Sequence, residues 1–505
     1  MKKIYMCLLA GLLSFTSCND WLDVDPKTSI AADKQFSSEY GFKDAITGIY
    51  LKLTSTNLYG RNLTFGYLDE LARLYQDQNV QTESEWRYIY NYKNEYKTTV
   101  DGIFVDMYNT IANINQLLTM LEEKRNVLKT PRYYETMKGE ALGLRAFLHF
   151  DLLRLYGPIF KENPTGQAIP YRTAFNDQAT PILPANEVVE LILKDLLAAQ
   201  EVLKDSDPLD FFTDRTPEGG VEGKDMFLLD RQFRMNLYAV KAMLARVYCY
   251  KGDAESRRLA LQYANEVINA PYFSLYNRQS STDYNSIRYA EQVFGISVVD
   301  LDDLLEKNKM SMGSASSIEQ NLHSRYVVNE DLFNKMYEME NGGTNDWRTI
   351  SVMFGVTDSR FFYSLKYNQD RFASNADGKD AMPLIRLPEM YYIIAECTDD
   401  AGASVDILND IRQSRGWSYD DKLSKEGYDN LYKEEGAEDK TLTKRFNLIM
   451  KEYRKEYYAE GQLFFYLKAH NFKTFIGSLF PDGMLLEHYQ WPLPDNEIIF
   501  GNNSK

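Results

Sequence analysis

The chain has 505 residues, with 73 acidic against 57 basic side chains and a formal net charge of −16. An acidic surface without a Lys/Arg cluster excludes nucleic acid as a partner, because phosphate binding needs a cationic face. Of the four cysteines, Cys7 and Cys18 fall in an amino-terminal segment that reads as an export signal and its lipidation point, and the remaining two, Cys249 and Cys397, are too few for a disulfide-built scaffold or a cysteine zinc site.

In chain order, Lys2 and Lys3 precede an apolar run from Ile4 to Phe15 that ends at Thr16-Ser17-Cys18. The run is too short to span a bilayer and closes on small residues before a cysteine. It reads as a lipoprotein export signal over residues 1–17, with Cys18 acylated as the first mature residue. Acyl chains contribute about 0.8 kcal/mol per buried methylene, so a multiply acylated cysteine holds a polar body on a membrane without a transmembrane helix. Residues 18–35 then form a tether and amino-terminal segment of a single body over 18–505.

Trp86, Tyr88, Tyr90 and Tyr92 recur at every second residue, so an extended backbone places all four on one face. Such a row suits stacking on pyranose rings, and packing against a neighbouring helix accounts for it equally well. Helical periodicity follows. Ile103, Met107, Ile111, Ile114, Leu118 and Leu121 form one stripe, and Met137, Ala141, Leu144, Leu148, Leu152 and Leu155 another. These segments predict an antiparallel pair whose second helix stops at Gly157-Pro158, where Gly tolerates positive φ and Pro cannot continue the ladder.

Further helices are predicted over about 188–203, 236–250, 254–269, 387–395, 404–415 and 444–460. Residues 236–271 have the length of a tetratricopeptide unit, with a turn at Lys251-Gly252-Asp253 and Ala245, Tyr248, Ala260, Ala264 and Pro271 near that repeat's small, large and proline positions. One such unit cannot bury its face alone, so stacked neighbours are implied. Between helices lie long irregular stretches, 158–184, 205–232, 272–325, 341–383 and 416–440. Two of these carry the other candidate ligand-binding residues: Tyr284, between Asp283 and Asn285, and Trp347-Arg348, after a Gly/Asn-rich run.

Catalytic signatures are missing. No G-x-S-x-G elbow, H-E-x-x-H helix or phosphate-binding glycine loop occurs, and there are only four histidines. His149, inside a predicted helix, reads as a structural imidazole. Asp151 and Arg154 are spaced to pair across one turn, and Glu389, Glu396, Arg145 and Arg412 to bridge stacked helices. Cys249 and Cys397 read as two buried thiols, with a disulfide left open. The expectation is a non-enzyme without cofactor or metal.

Several segments together resemble the SusD/RagB family, the surface nutrient-binding lipoproteins of Bacteroidetes outer membranes. They are Gly139-Glu140-Ala141 through Arg154-Leu155-Tyr156-Gly157, Ala245 to Tyr248, Arg386-Leu387-Pro388-Glu389 with Ala395-Glu396, Leu408-Asn409 with Arg412, Glu452 to Gly461, and Pro492-Leu493-Pro494 with Glu497-Ile498. Where the family's late helix continues with an Arg and an Asp, this chain has Leu463 and Tyr466. The resemblance implies an all-α fold of four tetratricopeptide-like helix pairs carrying a variable loop face. It also implies an outer-membrane protein that captures an oligosaccharide and docks on a SusC-like TonB-dependent transporter. An oligopeptide ligand, as in the RagB branch, and a protein–protein scaffold without soluble ligand are the alternatives.

Overall fold

The computed structural model describes residues 32–76, 87–209, 225–276, 290–307, 326–349, 353–357, 359–368 and 378–501. Helices dominate. The first are α1 (Glu39–Leu53), α2 (Tyr67–Leu71), α3 (Lys97–Glu123) and α4 (Tyr133–Tyr156). After a short antiparallel hairpin, β1 (Gln167–Pro170) with β2 (Ile182–Pro184), come α5 (Ala185–Leu203), α6 (Leu237–Lys251) and α7 (Ala254–Ile268). The middle of the chain holds β3 (Gln292–Ser297), α8 (Leu301–Lys307), β4 (Val327–Asn329), α9 (Glu330–Met336), β5 (Phe354–Val356), β6 (Phe361–Ser364) and β7 (Ala381–Arg386). Next are α10 (Leu387–Cys397), α11 (Ala401–Ser414), α12 (Lys444–Glu456) and α13 (Gln462–Ala469), with two short helices, α14 (Leu486–Tyr489) and α15 (Asp495–Phe500), at the end.

The helices stack in series: α3 on α4, α4 on α5, α5 on α6, α6 on α7, α7 on α10 and α10 on α11. This is the repeat-scaffold arrangement, in which each pair buries its neighbour's apolar face. The α3–α4 pair is antiparallel as predicted. Tyr156 at the end of α4 donates to the Val100 carbonyl at the start of α3, and Tyr134 at the start of α4 donates to Glu122 at the end of α3.

Local chemistry explains the helix ends. The Asn236 side chain accepts from the Ala239 N–H at 2.9 Å to start α6, Gly252 closes it at φ +74°, and Asp253 accepts from the Ser256 N–H at 3.0 Å to start α7. Gly157 behaves differently from expectation: its φ is −75°, so no left-handed turn is made. Glycine is required there by space, since a Cβ would lie 2.6 Å from the Leu153 carbonyl oxygen.

The stripe on α4 is buried, and so is most of the rest of that helix. Its polar residues therefore need internal partners. Arg145 grips Asp195 of α5 through two bonds of 2.7 Å, Glu140 receives Arg231 and Arg234, and Arg154 pairs with Asp151. His149 bonds the Arg145 carbonyl through Nδ1 and accepts the Arg172 N–H at Nε2, an imidazole used for structure. Burial lowers its pKa to about 3, so the ring is neutral.

Strands correct the view of the inter-helix stretches as irregular. Antiparallel β3 and β7 pair Ile296 with Met382. The antiparallel order β4-β6-β5 sets Val328 opposite Phe362 and Gly355 opposite Tyr363. The helix predicted over 444–460 also breaks, because Ala459 and Gly461 both take positive φ. Leu463 and Tyr466 on α13 are buried, and the Tyr466 ring stacks on Tyr453 at 4.5 Å.

A buried ionic network joins these parts. Glu456 of α12 receives Arg386 from the end of β7 at 2.8 Å, Arg415 beyond α11 at 3.0 Å and Arg348 at 3.0 Å. Glu452, one turn earlier, receives Arg412 at 3.0 Å and Arg348 at 3.0 Å. Glu291, beside β3, takes Arg386 at 3.0 Å and Arg415 at 2.8 Å. Burial pushes the Glu452 carboxyl up, but Lys455, Arg348 and Arg412 outweigh it and hold it at about 2. Glu456 is likewise driven well below its ordinary value, with Arg415, Arg386 and Arg348 overcoming burial.

Glu456→Ala leaves three buried guanidinium groups short of a partner and is expected to cost about 3–5 kcal/mol, read as a lower urea midpoint. Lys335→Ala, which breaks an exposed pair with Asp331, should move stability by less than about 0.5 kcal/mol. Because the folded pKa of Glu452 is depressed, its stabilisation is full above the ordinary 4.5 and is lost as pH falls toward 2. Acid titration of folded protein should show that loss, and Glu452→Gln should flatten the stability profile across the same window.

Candidate functional site

The aromatic row predicted before α3 does not run as an extended strand. Arg87–Tyr90 is a turn of 3-10 helix, which sends its side chains in different directions. Tyr90 is buried and donates its hydroxyl to the Leu71 carbonyl at 2.6 Å. Tyr92 is also buried and donates to the His488 carbonyl at 2.5 Å. Tyr88 points outward, 54% exposed. Arg87 anchors the turn by donating from Nε and Nη2 to the Leu479 carbonyl at 3.1 and 2.8 Å.

These contacts set the segment against the carboxy-terminal region and leave a cavity of about 900 Å³ between them. Tyr90, Tyr92, Tyr156 and Trp491 contribute to its lining. The Trp491 ring centre lies 5.5 Å from that of Tyr156 and 6.0 Å from that of Tyr92. Phe480 and His488, stacked at 3.7 Å, also line the cavity. Burial, with Arg87 nearby, lowers the His488 pKa and favours its neutral ring, whose Nδ1 accepts the Leu485 N–H at 2.9 Å. Leu485, Leu486 and Ile498 are exposed lining residues, and Asn91, Glu487 and Gln490 add polar groups.

Chemically this is a surface for binding. Aromatic and aliphatic groups can meet the C–H faces of a sugar ring while amide and carboxylate groups take hydroxyls. Among the described residues, no group of three His, Cys, Asp or Glu side chains is placed to hold a metal ion.

Of the residues singled out from sequence, only Tyr88 is a described residue with an exposed ring. Cys18, Trp86 and Tyr284 lie outside the described residues. Trp347 and Arg348 correct the expectation of a loop-borne platform, because both are 2% exposed. The Trp347 indole donates to the Ser414 carbonyl at 3.2 Å and meets Tyr276 edge-on at 4.8 Å. Arg348 spends its guanidinium on Asp346, Glu452 and Glu456. The Gly/Asn-rich run bends so that this pair plugs into the ionic network.

Sequence reading missed the lining supplied by Phe480, His488 and Trp491. Their aromatic density around Pro492-Leu493-Pro494 was a signal, but nothing in it indicated a partner near residue 90.

A family profile described as "Starch-binding associating with outer membrane" matches residues 20–214, and one described as "SusD family" matches residues 284–468. A SusD-like protein of Formosa agariphila is 25% identical over 307 residues, 59% of this chain and 52% of that protein. The chain spans about half the length of the curated relatives it matches. Solved structures share the fold. A SusD superfamily protein of Bacteroides thetaiotaomicron aligns with a TM-score of 0.62 at 18% identity, covering 92% of this chain and 98% of that one. A SusD-like carbohydrate binding protein of Bacteroides vulgatus aligns with a TM-score of 0.62 at 16% identity, covering 92% and 97%.

Burial separates two aromatic substitutions. Trp347→Ala should cost about 3–5 kcal/mol of stability in urea unfolding, whereas Tyr88→Ala should change it by less than about 0.5 kcal/mol.

Proposed function

The chain belongs to the SusD/RagB family, and from that premise we propose that it is a lipid-anchored outer-membrane binder that captures an oligosaccharide. We further propose that it passes its cargo to a SusC-like TonB-dependent transporter. Family members are binding proteins rather than enzymes, and the family is associated with the outer membrane. The observation that carries the glycan reading is the open cavity lined by Tyr90, Tyr92, Tyr156 and Trp491, a geometry suited to sugar rings, with exposed Tyr88 on the same turn as its lining residues Arg87 and Tyr90. Trp86 and Tyr284 are further proposed contacts.

Attachment rests on Cys18. No helix among the described residues is long and apolar enough to cross a membrane, so an acylated cysteine is the proposed tether. A stacked-helix scaffold that leaves recognition to loops and turns suits a protein that must release its ligand, because a few stacking contacts supply limited free energy.

Calorimetry of the chain lacking residues 1–18 against glycan and peptide panels tests the ligand class. Binding of a glycan that Tyr88→Ala weakens by about 1 kcal/mol, roughly fivefold, supports the reading. Binding confined to peptides would replace it with the oligopeptide alternative. For the anchor, Cys18→Ser should release the exported protein from membranes, and mass spectrometry of the wild type should find an acylated mature amino terminus.

A further inference from the structure

A second cavity, of about 470 Å³, opens among α4, α6, α10, α12 and α13, within the helical stack. Its chemistry differs from that of the first. Five basic side chains line it against three carboxylates, although the whole chain carries −16. Pairing uses most of these charges: Arg154 holds Asp151, Lys251 holds Glu190 and Arg257 holds Asp399, so Lys161 is the lining cation with no ion pair among the described residues, and the carboxylates are engaged too. Glu389 is gripped by Arg246, Glu396 receives His470 Nε2 at 3.1 Å, and Asp253 caps α7 with Lys251 Nζ at 3.8 Å.

Three lining residues carry a buried polar atom that finds no hydrogen-bond partner among the described residues: Arg154 Nε, Tyr466 Oη and His470 Nδ1. A buried polar atom left unpaired has lost its water without replacement, a cost that an incoming partner recovers. Each has a defined role to offer. Arg154, over the Phe465 ring at 3.6 Å and paired through Nη2 with Asp151, still has its Nε–H to donate. His470 faces Glu396 with Nε2, so Nδ1 is the ring nitrogen left for a ligand. The Tyr466 hydroxyl can serve either way. Lys161 is an exposed lining residue, its Nζ 5.5 Å from the Phe446 ring centre, and adds a further positive charge.

We propose that this cavity is a second ligand site, independent of the one beside Tyr88, and that it takes a small ring-bearing carboxylate. The half-buried aromatic side chains of Tyr250 and Phe446 hold the ring. The carboxylate meets Arg154 Nε, the Tyr466 hydroxyl and Lys161, and a ligand hydroxyl bonds His470 Nδ1. The glycan reading does not depend on this site, and the two fail separately.

A matched pair of probes isolates the carboxylate: phenyl β-D-glucuronide and phenyl β-D-glucoside, each titrated calorimetrically into the chain lacking residues 1–18. The glucuronide should bind at least about tenfold more tightly. Lys161→Gln, at an exposed position, should remove most of that preference without altering the fold. Tyr466→Phe deletes a hydroxyl that has no partner among the described residues, so thermal stability should be unchanged or higher while glucuronide affinity falls. Absence of glucuronide binding, equal affinity for the two probes, or glucuronide binding that is insensitive to both substitutions and lost in Tyr88→Ala overturns the proposal.

Discussion

Glu456 is the residue on which the rest of this architecture turns. Three arginines from three separate places, the end of β7, the chain just after α11 and the Asp346-Trp347-Arg348 turn, converge on one carboxylate that water does not reach. A lone charge there would be prohibitively costly, so each group is tolerable only when all the others are in place. The network therefore acts as a registration device. It lets the helical stack, the β3–β7 pair and the 346–348 turn meet in one arrangement and penalises partial ones. A hydrophobic contact of similar area would not discriminate between neighbouring registers in this way.

The scaffold so fixed has a second effect, on where recognition can occur. Aromatics near the network, Trp347 and Trp417 among them, are consumed by it: Trp417 donates its indole to Asp346 at 2.8 Å and lies under the Arg412 guanidinium. Rings left facing solvent sit elsewhere, as Tyr88 does. Composition alone could not make this division. The 37 tyrosines include many whose hydroxyls bond backbone carbonyls inside the core, among them Tyr67, Tyr90 and Tyr489. Tyrosine abundance here reflects internal crosslinking of a large stack at least as much as a ligand surface.

Much of the helical framework was legible in sequence because its signals are local. Asn236, Gly252 and Asp253 state the α6–α7 turn through capping geometry, and the Ile103 and Met137 stripes state a packed pair through period. Likewise the Asp151–Arg154 pair follows from spacing. The strands were not legible, since β7 is an apolar run with Pro383 inside it and its partner β3 lies some ninety positions earlier. The alternation at 86–92 was legible but misread: period two predicts a strand, yet the backbone coils into a 3-10 turn whose faces are chosen by distant residues. Trp347-Arg348 was misread for the same reason. A Gly/Asn-rich run signals a bend and says nothing about whether that bend faces water or an ionic core.

The bond from Arg87 to the Leu479 carbonyl joins residues 392 positions apart. The wall of the larger cavity is therefore among the last features the chain can assemble, because closing so long a loop waits on nearly complete synthesis. A partly emerged polypeptide holds helices but no finished cavity. The amino-terminal and carboxy-terminal parts of this wall thus exist as one surface only once both ends of the described fold have met.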